Sequence, residues 1–269
     1  MLFRSLIVFA SVGIFLLFGA LATKSGSAED SLRAVRESRF PNERWQAAFE
    51  LSKTLAAGKV RDPALFAKDL ISAYEEMKTK DPKVSRYLVI AMGYLDSPEV
   101  VPSLLDALSR GESDAQDSET ALYALAALGR SGDPRALPAV MARLDSGDPG
   151  FRKMAAYALG GMGSAEAVPA LERATHDGGA DVRWNAAVSL SRLGSSAGED
   201  VLLQMIDRKE VERVEAVTPD QVETAMIQGT EALVSIRSTR AVASLRSVAE
   251  ADPSLRVREA AIRALKSLE

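Results

Sequence analysis

Bond-making chemistry needs nucleophiles, acid–base groups or metal ligands, and this chain of 269 residues is poor in all three. Its one histidine, His176, precedes Asp177-Gly178-Gly179 at the expected end of a helix. There an imidazole reads as a solvated C-terminal cap rather than a base or ligand. The chain has no cysteine, which removes disulfides, thiolate metal sites and thiol nucleophiles. That absence fits an exported protein without demonstrating export. Carboxylate pairs such as Glu75-Glu76 read as solvated charge. The glycines of "ALGGMGSAE" follow helical residues and no strand, so they mark a helix stop and not a phosphate-binding loop. No catalytic residue, cofactor or metal site is expected.

Recognition chemistry is better supplied. In "DVRWNAAVSLSRLG" (Asp181–Gly194), Val182, Ala186, Leu190 and Leu193 share one side of a helix at roughly 100° per residue. Ala187 flanks them with a side chain small enough for a close neighbour. Trp184, Val188 and Ser191 point the opposite way. "ERWQAAFEL" (Glu43–Leu51) repeats the arrangement around Trp45. Large aromatics beside arginine or lysine are the residues that concentrate binding energy at interfaces.

The elements that must position these residues are repeats. "VRWNAAVSLSRLG" (Val182–Gly194) aligns with "FRKMAAYALGGMG" (Phe151–Gly163) in an arginine, a double alanine, a leucine and a glycine, at an offset of 31. The same template falls on Glu43, Val84, Asp117, Val222 and Val257, with successive spacings of 41, 33, 34, 31, 40 and 35. Other helices lie between these, among them "PEVVPSLLDAL", "DPRALPAVMARL", "SAEAVPALERAT" and "TRAVASLRSVA". Pro102, Pro138 and Pro169 recur at one position and mark a helix start, where the missing N–H is not needed. Gly129, Gly163 and Gly194 follow the template helices, where a left-handed residue is wanted. Each repeat is therefore helix–turn–helix, and the repeats stack. Composition agrees: 47% hydrophobic and 26% charged residues suit a folded chain, and 6% aromatics with abundant alanine and leucine suit helices over sheet.

The Asp-x-x-Arg or Val-Arg start, the Ala-Ala pair and the Leu-Gly ending resemble HEAT repeats, most of all the short bacterial kind also found in phycobilisome lyase-like proteins. The resemblance covers about Ser31 to Glu269 and is strongest from Asp133 to Gly194. It departs at Asp117–Gly129, which lacks the arginine, and near Thr218, where Glu223 and Met226 replace arginine and alanine. It implies an all-α fold, a HEAT-like α-solenoid of about seven helical pairs wound as an extended right-handed superhelix. One N-terminal hydrophobic helix is expected to precede it. HEAT-type iron hydroxylases use paired His-Glu motifs that one histidine cannot supply. Alkylpurine glycosylase-like HEAT proteins use a strongly basic groove, which a net charge of −4 does not suggest. Two connections are long, Ser109–Glu119 and Asp207–Gln221, and such insertions are either functional or mobile.

In HEAT proteins the second helix lines the concave surface, so the resemblance places the outward stripe in a groove. The stripe reads Trp45, Phe49; Arg86, Ile90; Glu119, Tyr123; Lys153, Tyr157; Trp184, Val188; Thr224, Gln228; Glu259, Arg263, and Tyr94 lies near it. The candidate partner-binding residues are Trp45, Phe49, Arg86, Tyr94, Tyr123, Lys153, Tyr157 and Trp184. The alternative is that a curved solenoid packs these side chains against one another, or that the N-terminal linker covers them. The expected function is a non-enzymatic, membrane-tethered scaffold that binds a partner protein, within or beside a membrane complex, and no nucleic acid. A chromophore-lyase-like HEAT protein, or a soluble exported binding protein, is the alternative.

The tether is read from "MLFRSLIVFASVGIFLLFGALATK". Its uncharged run Ser5–Thr23 would span roughly 28 Å as a helix, close to the ~30 Å hydrocarbon core. Ala20-Leu21-Ala22 also fits a signal-peptidase site, so anchor and cleaved signal both stay open. Residues 1–23 are taken as the anchor or signal, 24–30 as a linker and 31–269 as the solenoid. Arg4, Lys24 and Glu29 give residues 1–29 a charge of +1, leaving −5 for the remainder. The positive-inside count leans toward a cytoplasmic body. The short tail before the segment favours an extracytoplasmic, periplasmic one, which is the expectation adopted.

Overall fold

The computed structural model describes residues 27–58, 60, 62–113, 117–215 and 217–268. The membrane segment expected over residues 1–23 lies outside them. No described helix is long and apolar enough to cross a membrane. All regular structure among the described residues is helical, without a strand. Contacts divide the chain into an N-terminal unit, Met1–Leu95, and a C-terminal unit, Asp96–Glu269.

The N-terminal unit holds α1 (Ala28–Glu37), α2 (Pro41–Ala56), α3 (Pro63–Met77) and α4 (Pro82–Met92). The linker expected over 24–30 gives way to α1 sooner than that. Ser27 and Asp30 form a reciprocal cap, with the Asp30 amide donating to Ser27 Oγ at 3.1 Å and the Ser27 amide donating to Asp30 Oδ2 at 3.3 Å. That capping box starts a helix inside the polar stretch. Pro41, Pro63 and Pro82 open the other three helices, and Asp62 and Asp81 cap α3 and α4. Helix α1 packs on α2, α3 on α4, and the two second helices, α2 and α4, lie side by side. Leu51, Leu70, Tyr74, Leu88 and Met92 are fully buried between them.

The C-terminal unit runs α5 (Val101–Ser113), α6 (Ser118–Ser131), α7 (Leu137–Ala142), α8 (Pro149–Met162), α9 (Val168–Ala174), α10 (Ala180–Arg192), α11 (Glu199–Met205), α12 (Arg208–Glu212), α13 (Pro219–Ser235), α14 (Val242–Ala251) and α15 (Leu255–Leu268). With α12 as an extra turn, the two units contain seven helical pairs among the described residues, as the template spacing predicts. The second helices α6, α8, α10, α13 and α15 pack in succession, each against the next. Single-turn 3₁₀ segments, Pro98–Val100, Pro134–Ala136 and Ala165–Ala167, lead into α5, α7 and α9. Pro102, Pro138 and Pro169 thus sit in the first turn of the α-helix proper.

Several expectations change here. Gly163 is left-handed at φ 70°, and Gly194 at 76°, but Gly129 is a buried residue inside α6. Gly132, at φ 61°, ends that helix instead. Gly129 serves close packing: a Cβ there would lie 2.6 Å from the Ala158 Cα of α8. The Ser109–Glu119 connection is shorter than expected because α5 continues to Ser113, and Asp207–Gln221 folds its first part into α12. Val182, Ala186, Ala187 and Leu190 are buried as expected, but Leu193 is only partly so and Ser191 is buried rather than outward-facing. The Ser191 hydroxyl donates to the Val188 carbonyl at 2.7 Å, which meets its polar requirement there.

The template arginine turns out to be a clamp. Arg152 on α8 donates from Nη1 to the carbonyls of Ser146 and Gly147 in the preceding loop, at 2.9 and 3.2 Å. Its Nε and Nη2 reach Asp177, before α10, at 2.8 and 3.0 Å. Arg183 repeats the first half, donating to the Asp177 and Gly178 carbonyls at 2.8 and 3.1 Å. In the N-terminal unit Arg44 bonds the Ser38 carbonyl and lies 3.6 Å from Asp81. Where the template arginine is replaced by Glu223, Arg208 on α12 acts instead, holding the buried Asp252 through two bonds of 2.9 and 2.8 Å. Each of these aspartates also caps its own chain segment, accepting from the amides of Val84, Gly179 and Ser254.

These clamps set a pH dependence. The hydrogen bonds from Arg152 hold the Asp177 carboxyl below its ordinary value, helped by the Gly179 amide and the charges of Arg152 and Arg183, against an opposing effect of burial. Bonds from Ser238, then Arg240, do the same for Glu199. A carboxyl depressed in the folded state stabilises the fold above its unfolded pKa, and that contribution is lost as pH falls through the folded value. The melting temperature is therefore expected to fall on acidification below about pH 4, where free carboxylates titrate. Asp177→Asn should melt lower at pH 7 and show a shallower acid limb in scanning calorimetry. An acid limb identical to that of the parent protein would remove Asp177 from the account.

Candidate functional site

Each unit carries four of the eight candidate residues. In the N-terminal unit, Trp45 and Phe49 on α2 meet Tyr87 on α4. Trp45 stacks on Tyr87 with ring centroids 6.4 Å apart, and Phe49 packs edge-on against it at 5.5 Å. The Lys83 ammonium lies 3.7 Å from the centroid of the Trp45 ring, and Lys53 lies over Phe49 at 5.3 Å. Here the self-packing alternative describes Trp45, which is half-buried beneath its own cation. Phe49 and Tyr94 remain exposed, and Arg86 is half-buried on α4. Tyr87 was missed because it lies about 60° around the helix from Ile90, off the stripe.

In the C-terminal unit, Tyr123 on α6 and Tyr157 on α8 are 39% and 44% exposed, large areas for tyrosines with no core to fill. The Arg192 guanidinium lies over Tyr157 at 5.6 Å. Lys153 pairs with Asp181 at 2.8 Å. Trp184 is half-buried and, with Val188, packs on the core of α10, α11, α13 and α15. It is neither fully outward nor fully interior.

The exposed part of Trp184 lines a cavity of about 420 Å³. Three consecutive second helices contribute to it: Lys153 from α8, Asp181 and Trp184 from α10, and Thr224 and Gln228 from α13. Its remaining wall is the long connection, through Val214, Glu215 and Val217, together with Asp220 at the start of α13. Four stripe residues, Lys153, Trp184, Thr224 and Gln228, thus line one cavity together with the insertion. Lys153 against Asp181, Glu215 and Asp220 leaves its charged lining at −2. Two larger clefts, of about 460 and 590 Å³, lie along the first helices, and their aspartates Asp177 and Asp252 are already clamped.

The titratable groups lining the cavity are Lys153, Asp181, Glu215 and Asp220. His176 is exposed just beyond α9, away from the residues lining the cavity. No group of three His, Asp or Glu side chains among the described residues is placed to hold a metal ion.

A HEAT-repeat family profile matches residues 67–150, 112–183 and 143–218, more than half of the chain when joined. No curated protein sequence matches. Among solved structures, one chain from the complex of CpcE and CpcF of phycocyanin lyase from Nostoc sp. PCC7120 superposes with a TM-score of 0.58. It is 18% identical, over 91% of this chain and 95% of that one. Human deoxyhypusine hydroxylase in complex with glycerol gives 0.37 at 17% identity, covering 90% and 95%. An engineered protein gives 0.46 at 18%, covering 90% and 68%. At 18% identity the likeness to the first of these is one of fold. Repeated helical pairs, second helices packed in succession and the matched span lead to one conclusion: this chain belongs to the HEAT-repeat family.

Proposed function

We propose that the chain is a scaffold that binds a partner protein through the face of its second helices, centred on Tyr123, Tyr157 and the Trp184 cavity. The exposure of Tyr123 and Tyr157, on the same succession of second helices that forms the cavity, is the observation that carries the reading. Tyrosine and tryptophan bring large contact area at little cost in side-chain entropy, and they dominate interface energetics. Lys153 belongs to the proposal as a flanking contact in the C-terminal unit; Phe49, Arg86 and Tyr94 are proposed as contacts of the N-terminal unit taken by itself, with Trp45 as their packed support. The apolar run Ser5–Thr23 supports a membrane-attached, extracytoplasmic setting for this scaffold, within or beside a membrane complex.

A photo-crosslinking amino acid at Tyr123 or Tyr157 should capture the partner in cells, while the same probe at Ala142 or Arg173, exposed on first helices, should not. Equal capture from both faces would refute the assignment of the face. The fold likeness to the phycocyanin lyase chain favours one second reading, a chromophore-lyase-like activity. Incubation with a bilin and transfer of covalent colour to an acceptor protein would establish it.

A further inference from the structure

We infer that the Trp184 cavity receives a lysine side chain from a basic segment of the partner, in the role that Lys83 plays over Trp45. The inference rests on the scaffold reading and adds the chemistry of what is bound. Trp45 and Trp184 occupy the same template position, two residues after Glu43 and Val182. In the first case the next repeat begins at Val84, and the residue before it, Lys83, places its ammonium 3.7 Å from the indole centroid. In the second case the next repeat begins at Val222, and the residue before it is Gln221. Gln221 is neutral and is engaged in capping α13, its Oε1 accepting from the Thr218 amide at 2.8 Å. The cation that covers one tryptophan is therefore missing from the other.

The surroundings compensate in sign. Asp181 is engaged by Lys153, but no ion pair engages Glu215 or Asp220 among the described residues, and both are exposed on the rim. An indole face with two available carboxylates and about 420 Å³ of space suits an ammonium group on a methylene stem. The same charge opposes an acidic segment. Val214 and Val217 give the stem an apolar wall.

The test uses the full chain with 5-fluorotryptophan at Trp45 and Trp184, the two tryptophans, assigned through Trp45→Phe and Trp184→Phe. Tetralysine is titrated at low ionic strength, where charge pairing is least screened, and fluorine resonances are followed. Expected is a saturable shift of the Trp184 resonance alone, weakened at least tenfold in the Glu215→Gln/Asp220→Asn double variant. Nε-acetylated tetralysine and tetraglutamate should leave it unmoved. Gln221→Lys, which restores the internal cation, should shift Trp184 without ligand and weaken tetralysine at least tenfold. No saturable shift, an equal response to the acetylated peptide, or unchanged affinity in the double variant would overturn the inference. Face-selective cross-linking with any of those results keeps the scaffold and discards the lysine. Tetralysine binding with no face selectivity keeps the cation site and discards the scaffold.

Discussion

Leu190→Ala is expected to lower the unfolding free energy by about 2–5 kcal/mol, the range for truncating a buried leucine. Leu190 is fully buried on α10, the helix that packs between α8 and α13. The loss combines removed apolar contact with a void that rigid neighbours fill only in part. A helical pair in a repeat array buries its apolar face only against adjacent pairs, so the damage should spread to both sides. Urea denaturation followed by circular dichroism gives the magnitude, and amide exchange gives the reach. Protection should drop along α8 and α13 as well as α10. An unchanged urea midpoint would mean that the core face has been assigned to the wrong side of the helix.

Gly129→Val should cost roughly 1–3 kcal/mol, the usual range for overpacking. Ordinary helix energetics predict the opposite sign, since glycine inside a helix is about 0.5–1 kcal/mol worse than alanine. The neighbours decide it. A Cβ at 129 would lie 2.6 Å from the Cα of Ala158 and 2.8 Å from its carbonyl oxygen. Those are backbone atoms of α8 and cannot swing aside as a side-chain tip can, so one helix must move off the other. Gly178→Ala is the control, because nothing lies within 4 Å of that site. It should stay within about 0.5 kcal/mol of the parent. A neutral Gly129→Val in the same denaturation series would show that α6 and α8 separate without cost.

The helical pairs were legible because each template helix has a 3.6-residue apolar period, with prolines at the starts and capping residues at many termini. Val182, Leu190 and the Ala186-Ala187 pair were placed correctly for the same reason. Periodicity failed where one helix has more than one buried side. A second helix touches its own first helix and the second helices on either side, so its buried arc is broad. Ser191 falls inside that arc and Trp184 at its edge. Spacing could not separate Gly129, needed for proximity, from Gly132, needed for a left-handed turn. The cavity was the least legible part, since Glu215 and Asp220 reach Trp184 only through the path of the connection. The Thr218–Gln221 capping box and the cap at Asp207 were present in the sequence as signals that much of this insertion is ordered.

Asp81, Asp177 and Asp252 each begin a segment of their own and receive an arginine from upstream. That double attachment gives the gene a phase. A recombination that cuts from one such aspartate to its equivalent adds or removes whole pairs, three between Asp81 and Asp177 and two between Asp177 and Asp252, while leaving the upstream guanidinium opposite a carboxylate. A cut a few codons away strands an arginine and deprives a backbone amide of its acceptor in one event. Selection should then tolerate variation in the number of pairs among descendants of this gene far more readily than variation in the length of any one pair between clamps.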